Sequence, residues 1–119
     1  MEKEIIRQIF IKFKEINQIG SVYNSGNNLE YLTQNILELI KKLASSTENK
    51  ELQHNCKIAY WNLSQTLKKE VGWVIITYDK SIKKNGAKVR HTEYLQKLTR
   101  AIKGIEQEIF PVINFYNKE

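Results

Sequence analysis

Apolar side chains recur at three- and four-residue steps along most of this chain, the spacing that places them on one side of a 3.6-residue helix. Over residues 2–19 the repeating positions are Ile5, Ile6, Ile9, Phe10, Phe13 and Ile16, and Gly20 ends the run. The polar stretch 21–28 reads as a loop, and Asn27 followed three residues later by Glu30 reads as a capping box. The second helix then covers about 28–44, with Leu29, Leu32, Ile36, Leu39, Ile40 and Leu43 as its stripe. Ser45-Ser46-Thr47 interrupts the pattern and supplies a cap, after which Leu52, Cys56, Ala59, Leu63, Leu67, Val71, Val74, Tyr78 and Ile82 continue in phase. Taken as one helix over 48–84, that stretch would be ~55 Å long, with Gly72 as a candidate break. It would close in Lys83-Lys84-Asn85-Gly86, a helix C-terminal signature. A last helix over 92–116 carries Leu95, Leu98, Ile102, Ile105 and Ile109, with a kink or stop expected at Pro111.

The expected fold is therefore all-α: an antiparallel up-down four-helix bundle, formed as a single domain over residues 1–119. One segment admits a competing reading. Trp73 to Tyr78 is rich in strand formers and Asn85-Gly86 is a strong hairpin turn, so a β-hairpin over 73–94 stands beside the helix-plus-turn. The unbroken helical phase through Gly72 favours the helix, since a lone two-stranded hairpin has no sheet to join.

Charge changes the picture more than composition does. Between Lys80 and Lys103 stand Lys80, Lys83, Lys84, Lys88, Arg90, Lys97, Arg100 and Lys103 against one acid, Glu93. That segment is more positive than the whole chain, whose net charge is +6, so the remainder is close to neutral. Lys97, Arg100 and Lys103 fall at three-residue steps on one side of the last helix. With His91 they form a candidate phosphate-contacting surface, set against the plainer reading of a solvated helix end. Tyr94, Tyr78 and Trp73 lie near it in sequence and could stack on bases, although aromatics at helical spacing are more often core.

Residues suited to catalysis are few. His54 and His91 are the only histidines, and Cys56 is the only cysteine. His54 and Cys56 are two apart and do not face one another on a helix, so no metal site is expected. His91 follows Lys88-Val89-Arg90, cations that make it a poor base. Glu106 and Glu108 are likewise two apart and point in different directions. There is neither a GxGxxG nor a GxxxxGK[ST], and Arg90-His91 lacks the Arg-x4-6-His spacing of the helical HEPN ribonucleases. No enzyme and no cofactor is expected. A lone cysteine fits a reducing, cytoplasmic setting, and the charged N-terminal stretch contains no signal peptide or membrane span.

The order of features resembles the small four-helix-bundle proteins encoded in ribosomal-RNA intervening sequences, a group that includes the accessory variability proteins of diversity-generating retroelements. The resemblance is carried by the helix order, by Leu29-Glu30-Tyr31-Leu32-Thr33-Gln34 opening the second helix, by Lys57-Ile58-Ala59-Tyr60-Trp61-Asn62-Leu63 in the third and by Tyr94-Leu95 in the last. Where the intervening-sequence members usually carry a Pro- and Gly-containing segment, this chain has Ala44-Ser45-Ser46-Thr47-Glu48. The resemblance implies a basic, ring-forming oligomer, commonly a pentamer. In the retroelement branch it implies binding to nucleic acid and to a reverse transcriptase.

Three functions thus compete: a non-enzymatic subunit that binds nucleic-acid backbone, RNA or DNA, without reading sequence; a protein-binding module, such as an immunity, inhibitor or assembly factor, whose basic end docks an acidic partner; and an enzyme using His91 or His54 in an oligomeric site. The first uses the charge best. Helices of such unequal length would leave apolar surface bare in a monomer, which makes a homo-oligomer the expectation. Trp73, Ile76, Val112, Phe115 and Tyr116 are its candidate contacts.

Overall fold

In the computed structural model the described residues are 2–18, 25–76 and 91–117, and among them every regular element is helical and no strand occurs. Helix α1 spans Glu2–Asn17, α2 Ser25–Ser46 and α3 Lys50–Thr66. A π turn, Leu67–Val71, follows α3 directly, and the chain then stays helical to residue 76. Helix α4 spans His91–Ile113 and is followed by a 3-10 turn, Phe115–Asn117. The all-α, four-helix expectation is met. Trp73 to Ile76 are helical, which removes that part of the hairpin reading, and the stretch 77–90 lies outside the described residues.

The buried stripes form one apolar cluster. Helix α1 contributes Ile9 and Ile16, α2 Leu29, Ile36, Ile40 and Leu43, α3 Leu52, Cys56 and Leu63, and α4 Leu98, Ile105 and Ile109. Each helix packs on its neighbour in sequence, and α4 also touches α1, over a shorter stretch. Helices α3 and α4 run antiparallel: Asn55 meets Pro111, Thr66 meets Glu108, and Glu70 meets Arg100, so one number falls as the other rises.

Several sequence-based expectations shift. Helix α2 begins at Ser25, so Asn27 lies inside it and is not its cap. The cap of α3 is Asn49, not the Ser45-Ser46-Thr47 run: its Oδ1 accepts from Glu51 N at 3.0 Å and Leu52 N at 3.1 Å. Ser45 and Ser46 instead donate back to Lys41 O and Lys42 O in the preceding turn, the local bond that competes with capping. Phe10 is 41% exposed, because the stripe of α1 narrows to Ile5, Ile6, Ile9, Phe13 and Ile16.

The irregularity expected at Gly72 lies immediately before it. Gly72 itself is ordinary helix, at φ −57° and ψ −42°. Apolar positions four apart, Leu63, Leu67 and Val71, drift about 40° per step on a regular helix and would carry Val71 off the core. The wider π turn absorbs that drift, so that Val71 and Val74 are fully buried while Leu67 is half-buried. The same rotation leaves Glu70 facing α4. Pro111 does not stop α4, which runs on to Ile113; so near the end, its missing N–H removes a single helical bond, and Asn114 N still reaches Phe110 O at 3.0 Å.

Candidate functional site

The antiparallel packing of α3 on α4 brings the end of the third helical segment beside the first turns of α4, so their charges share one end of the molecule. Lys68 and Lys69 are exposed on the π turn. Opposite Glu70 and Trp73, α4 presents Arg100, exposed, and Lys97, half-buried, with Lys103 exposed one turn on. Lys97 Nζ lies 5.6 Å from the centroid of the Trp73 ring, a cation–π contact with a side chain that is 51% exposed. Arg100 Nε is 3.6 Å from Glu70 Oε2, an exposed pair of the kind that adds at most about 1 kcal/mol and leaves most of the guanidinium in solvent.

Of the residues expected to meet phosphate, then, Lys97, Arg100 and Lys103 lie together on the outer side of α4. Lys80, Lys83, Lys84, Lys88 and Arg90, and the side chain of His91, lie outside the described residues; in sequence, 77–90 connects the two helix ends that meet here. The candidate subunit contacts do not form one patch. Trp73 and Ile76 are exposed at this basic end, whereas Phe115 and Tyr116 sit at the other, with Phe115 half-buried. Val112 is wholly buried in the core and is not available as a contact, because the last turn of α4 is still packed inward.

Behind the basic end lies a polar pair that the sequence did not reveal. Thr66 is buried and its Oγ1 hydrogen-bonds to Glu108 Oε1, while Glu108 Oε2 is buried with no hydrogen-bond partner among the described residues. Burial pushes the Glu108 carboxyl above the usual range, the Thr66 hydroxyl draws it partly back, and the Glu70 carboxylate raises it again. Glu106 is exposed, so the two carboxylates part as their spacing requires. At the far end a second polar cluster forms around Glu2. Thr47 Oγ1 donates to Glu2 Oε1 at 2.6 Å and accepts from Asn49 N at 3.1 Å, and the Tyr116 hydroxyl donates to Glu2 Oε2. These bonds hold the Glu2 carboxyl below its usual range and push the Tyr116 phenol up. Partners 45 and 114 residues apart leave no local signature, so neither cluster could be read from spacing.

Cys56 is fully buried, and burial lifts its thiol to about 11, which makes it an inert core side chain. His54 is exposed on the other side of the same helix. Among the described residues no three His, Cys, Asp or Glu side chains converge as a metal site would require, and no helix is long and apolar enough to cross a membrane. No protein-family model matches the chain, and no curated protein or solved structure matches it significantly.

Proposed function

We propose that this chain is a non-enzymatic helical-bundle subunit that binds nucleic-acid backbone through its basic end, as part of a larger, oligomeric nucleoprotein assembly. The observation that carries the reading is the grouping of Lys97, Arg100 and Lys103 on one outward side of α4, beside the open Trp73 ring. Three cations against Glu70 favour phosphate, and the basic run 80–90 joins the same two helix ends in sequence. Cations that neutralise phosphates carry no sequence information, so the reading is of sequence-independent binding. An exposed indole with a cation over one face can stack an unpaired base on the other, which favours single strands over duplex.

Fluorescence anisotropy of labelled single-stranded and duplex RNA and DNA, titrated at several salt concentrations, tests this. Log affinity should fall linearly with log salt, and Lys97→Glu, Arg100→Glu and Lys103→Glu together should flatten that slope by roughly 2 units. Trp73→Ala should weaken single-strand binding by about tenfold and duplex binding much less. Absence of binding at low salt would refute the proposal.

A further inference from the structure

Away from the basic end, α1 and the last turn of α4 leave a groove of about 550 Å³ between them. Its floor is apolar: Ile6 lies almost wholly in the core, Ile113 is half-buried beside it, and Tyr116 closes one end. Its α1 rim follows a repeating order. Lys3, Arg7, Phe10 and Lys14 succeed one another at steps of four, three and four, which puts them on one outward stripe about 16 Å long, and all four are exposed. Lys3 Nζ lies 5.6 Å over the Tyr116 ring, so its stem is held along the groove, and Lys14 Nζ lies 4.9 Å over the Phe10 ring, one turn further along α1. Phe110, 60% exposed, precedes Asn114 by one helical turn, and Asn114 lines the groove.

Among the described residues no acid lines this groove. The Glu2 carboxylate accepts from Thr47 and from Tyr116, which lines it, and stays charged, so it offsets one of the cations Lys3 and Arg7 and leaves the rim net positive. A second recess of about 420 Å³, between α1 and α2, differs in this respect: Glu38 lines it together with Lys12 and Lys42. Of these two, the α1–α4 groove is the one that pairs an apolar floor with a described lining that carries cations and no acid. We infer that this groove is a docking site for an amphipathic helix of a protein partner, with apolar side chains entering over Ile6 and Ile113 and Asp or Glu flanking them to meet Lys3, Arg7 and Lys14. A second copy of this chain is a poor occupant, since it brings a net +6 of its own. Nucleic acid has no use for an aliphatic floor, and a flat membrane surface does not reach one recessed between two helices. An extended open groove with anchors one turn apart suits a helix of three to four turns. The site lies at the opposite end from the Lys97, Arg100 and Lys103 surface and does not depend on it.

The test uses three helix-stabilised peptides of equal length: one with Leu and Phe at i, i+4 and i+7 flanked by Glu, a second with the same apolar residues flanked by Lys, and a third with the Glu flanks but Ala in place of Leu and Phe. Added to the isotope-labelled full chain, the first should shift the amide resonances of Lys3, Ile6, Arg7, Phe10 and Ile113, and the other two should not. Lys3→Glu with Arg7→Glu, two exposed substitutions, should weaken the first peptide about tenfold while leaving the circular dichroism melt unchanged. Phe10→Ser should weaken it separately. The inference is overturned if the first peptide shifts none of these resonances, if the Lys-flanked peptide binds as well, or if charge reversal leaves affinity intact. It is equally overturned if anionic phospholipid vesicles or oligo(dT) compete the acidic peptide off the groove.

Discussion

Helix α4 makes two seams, and they are built on different terms. Toward α3 it is closed by a part-buried Thr66–Glu108 bond, with Gly104 opposite Thr66 and Asn55 reaching Pro111 O. Toward α1 the contact is shorter, and Phe10 stands open to solvent beside a groove. The difference teaches where this molecule spends burial on its own stability and where it leaves apolar surface for something else. A closed seam with small and polar residues fixes the helices; an open one with aromatics and cations has the composition of a binding surface.

Substitutions on the two sides should separate accordingly. Ile105→Ala, at a fully buried position, should destabilise the fold by about 2–5 kcal/mol, whereas Phe10→Ala should cost roughly 1 kcal/mol or less, because 41% of that residue is already in water. Urea denaturation of the two variants makes the comparison, and equal losses would show that Phe10 carries as much of the fold's stability as a core residue does.

The closed seam should also be sensitive to pH. Glu108 has a raised folded-state pKa, so its proton binds more tightly in the folded chain than in the unfolded one. Its contribution is then complete below the ordinary glutamate value of about 4.3 and is lost as pH rises through the higher folded value. Glu108→Gln should remove that fall and leave the variant more stable than the parent at neutral pH, measured by thermal melts between acid and neutral conditions. A parent and variant with parallel pH profiles would show that the carboxyl is not strained by burial.

Gly104→Ala probes the same seam more gently. An added methyl group would meet Thr66 Cγ2 at 3.7 Å and Oγ1 at 4.0 Å, ordinary contacts, so the helix-propensity gain of up to about 1 kcal/mol should appear as higher stability. A loss would mean that α3 and α4 are packed more tightly than these distances indicate. Smallest in energetic terms, Cys56 should resist a thiol reagent at pH 8 in the native chain and react at once in denaturant, since its thiol is fully buried and titrates near 11.

The fold was largely legible because it depends on local periodicity. Helices at 2–19, 28–44 and 92–116 fall within a few residues of α1, α2 and α4, and the apolar steps Leu52, Cys56, Ala59 and Leu63 did identify the buried side of α3. What failed did so for physical reasons. The drift of four-residue steps was read as continuous phase with a break at Gly72, when the chain corrects it one turn earlier through a π turn. Asn27 carried the chemistry of a cap but lies two residues inside α2, and the cap of α3 went to Asn49, whose extended backbone frees its side chain to reach two amides. The site was less legible. Lys97, Arg100 and Lys103 were identified from spacing, yet Lys68, Lys69 and the placement of Trp73 beside Lys97 depend on how α3 meets α4. The rim of Lys3, Arg7, Phe10 and Lys14 was visible as a pattern only once Phe10 proved to be outside the core.

Two cationic surfaces serve two different ligand chemistries in this proposal, and the decisive measurement asks whether place or mere charge attracts nucleic acid. Labelled oligo(U) would be titrated at fixed low salt with the parent chain, with Lys97→Glu/Arg100→Glu/Lys103→Glu, and with Lys3→Glu/Arg7→Glu/Lys14→Glu, each variant removing the same charge. Affinity lost in the first variant and retained in the second is the result expected of a phosphate surface on α4. Equal loss in both, or loss only in the second, would contradict it.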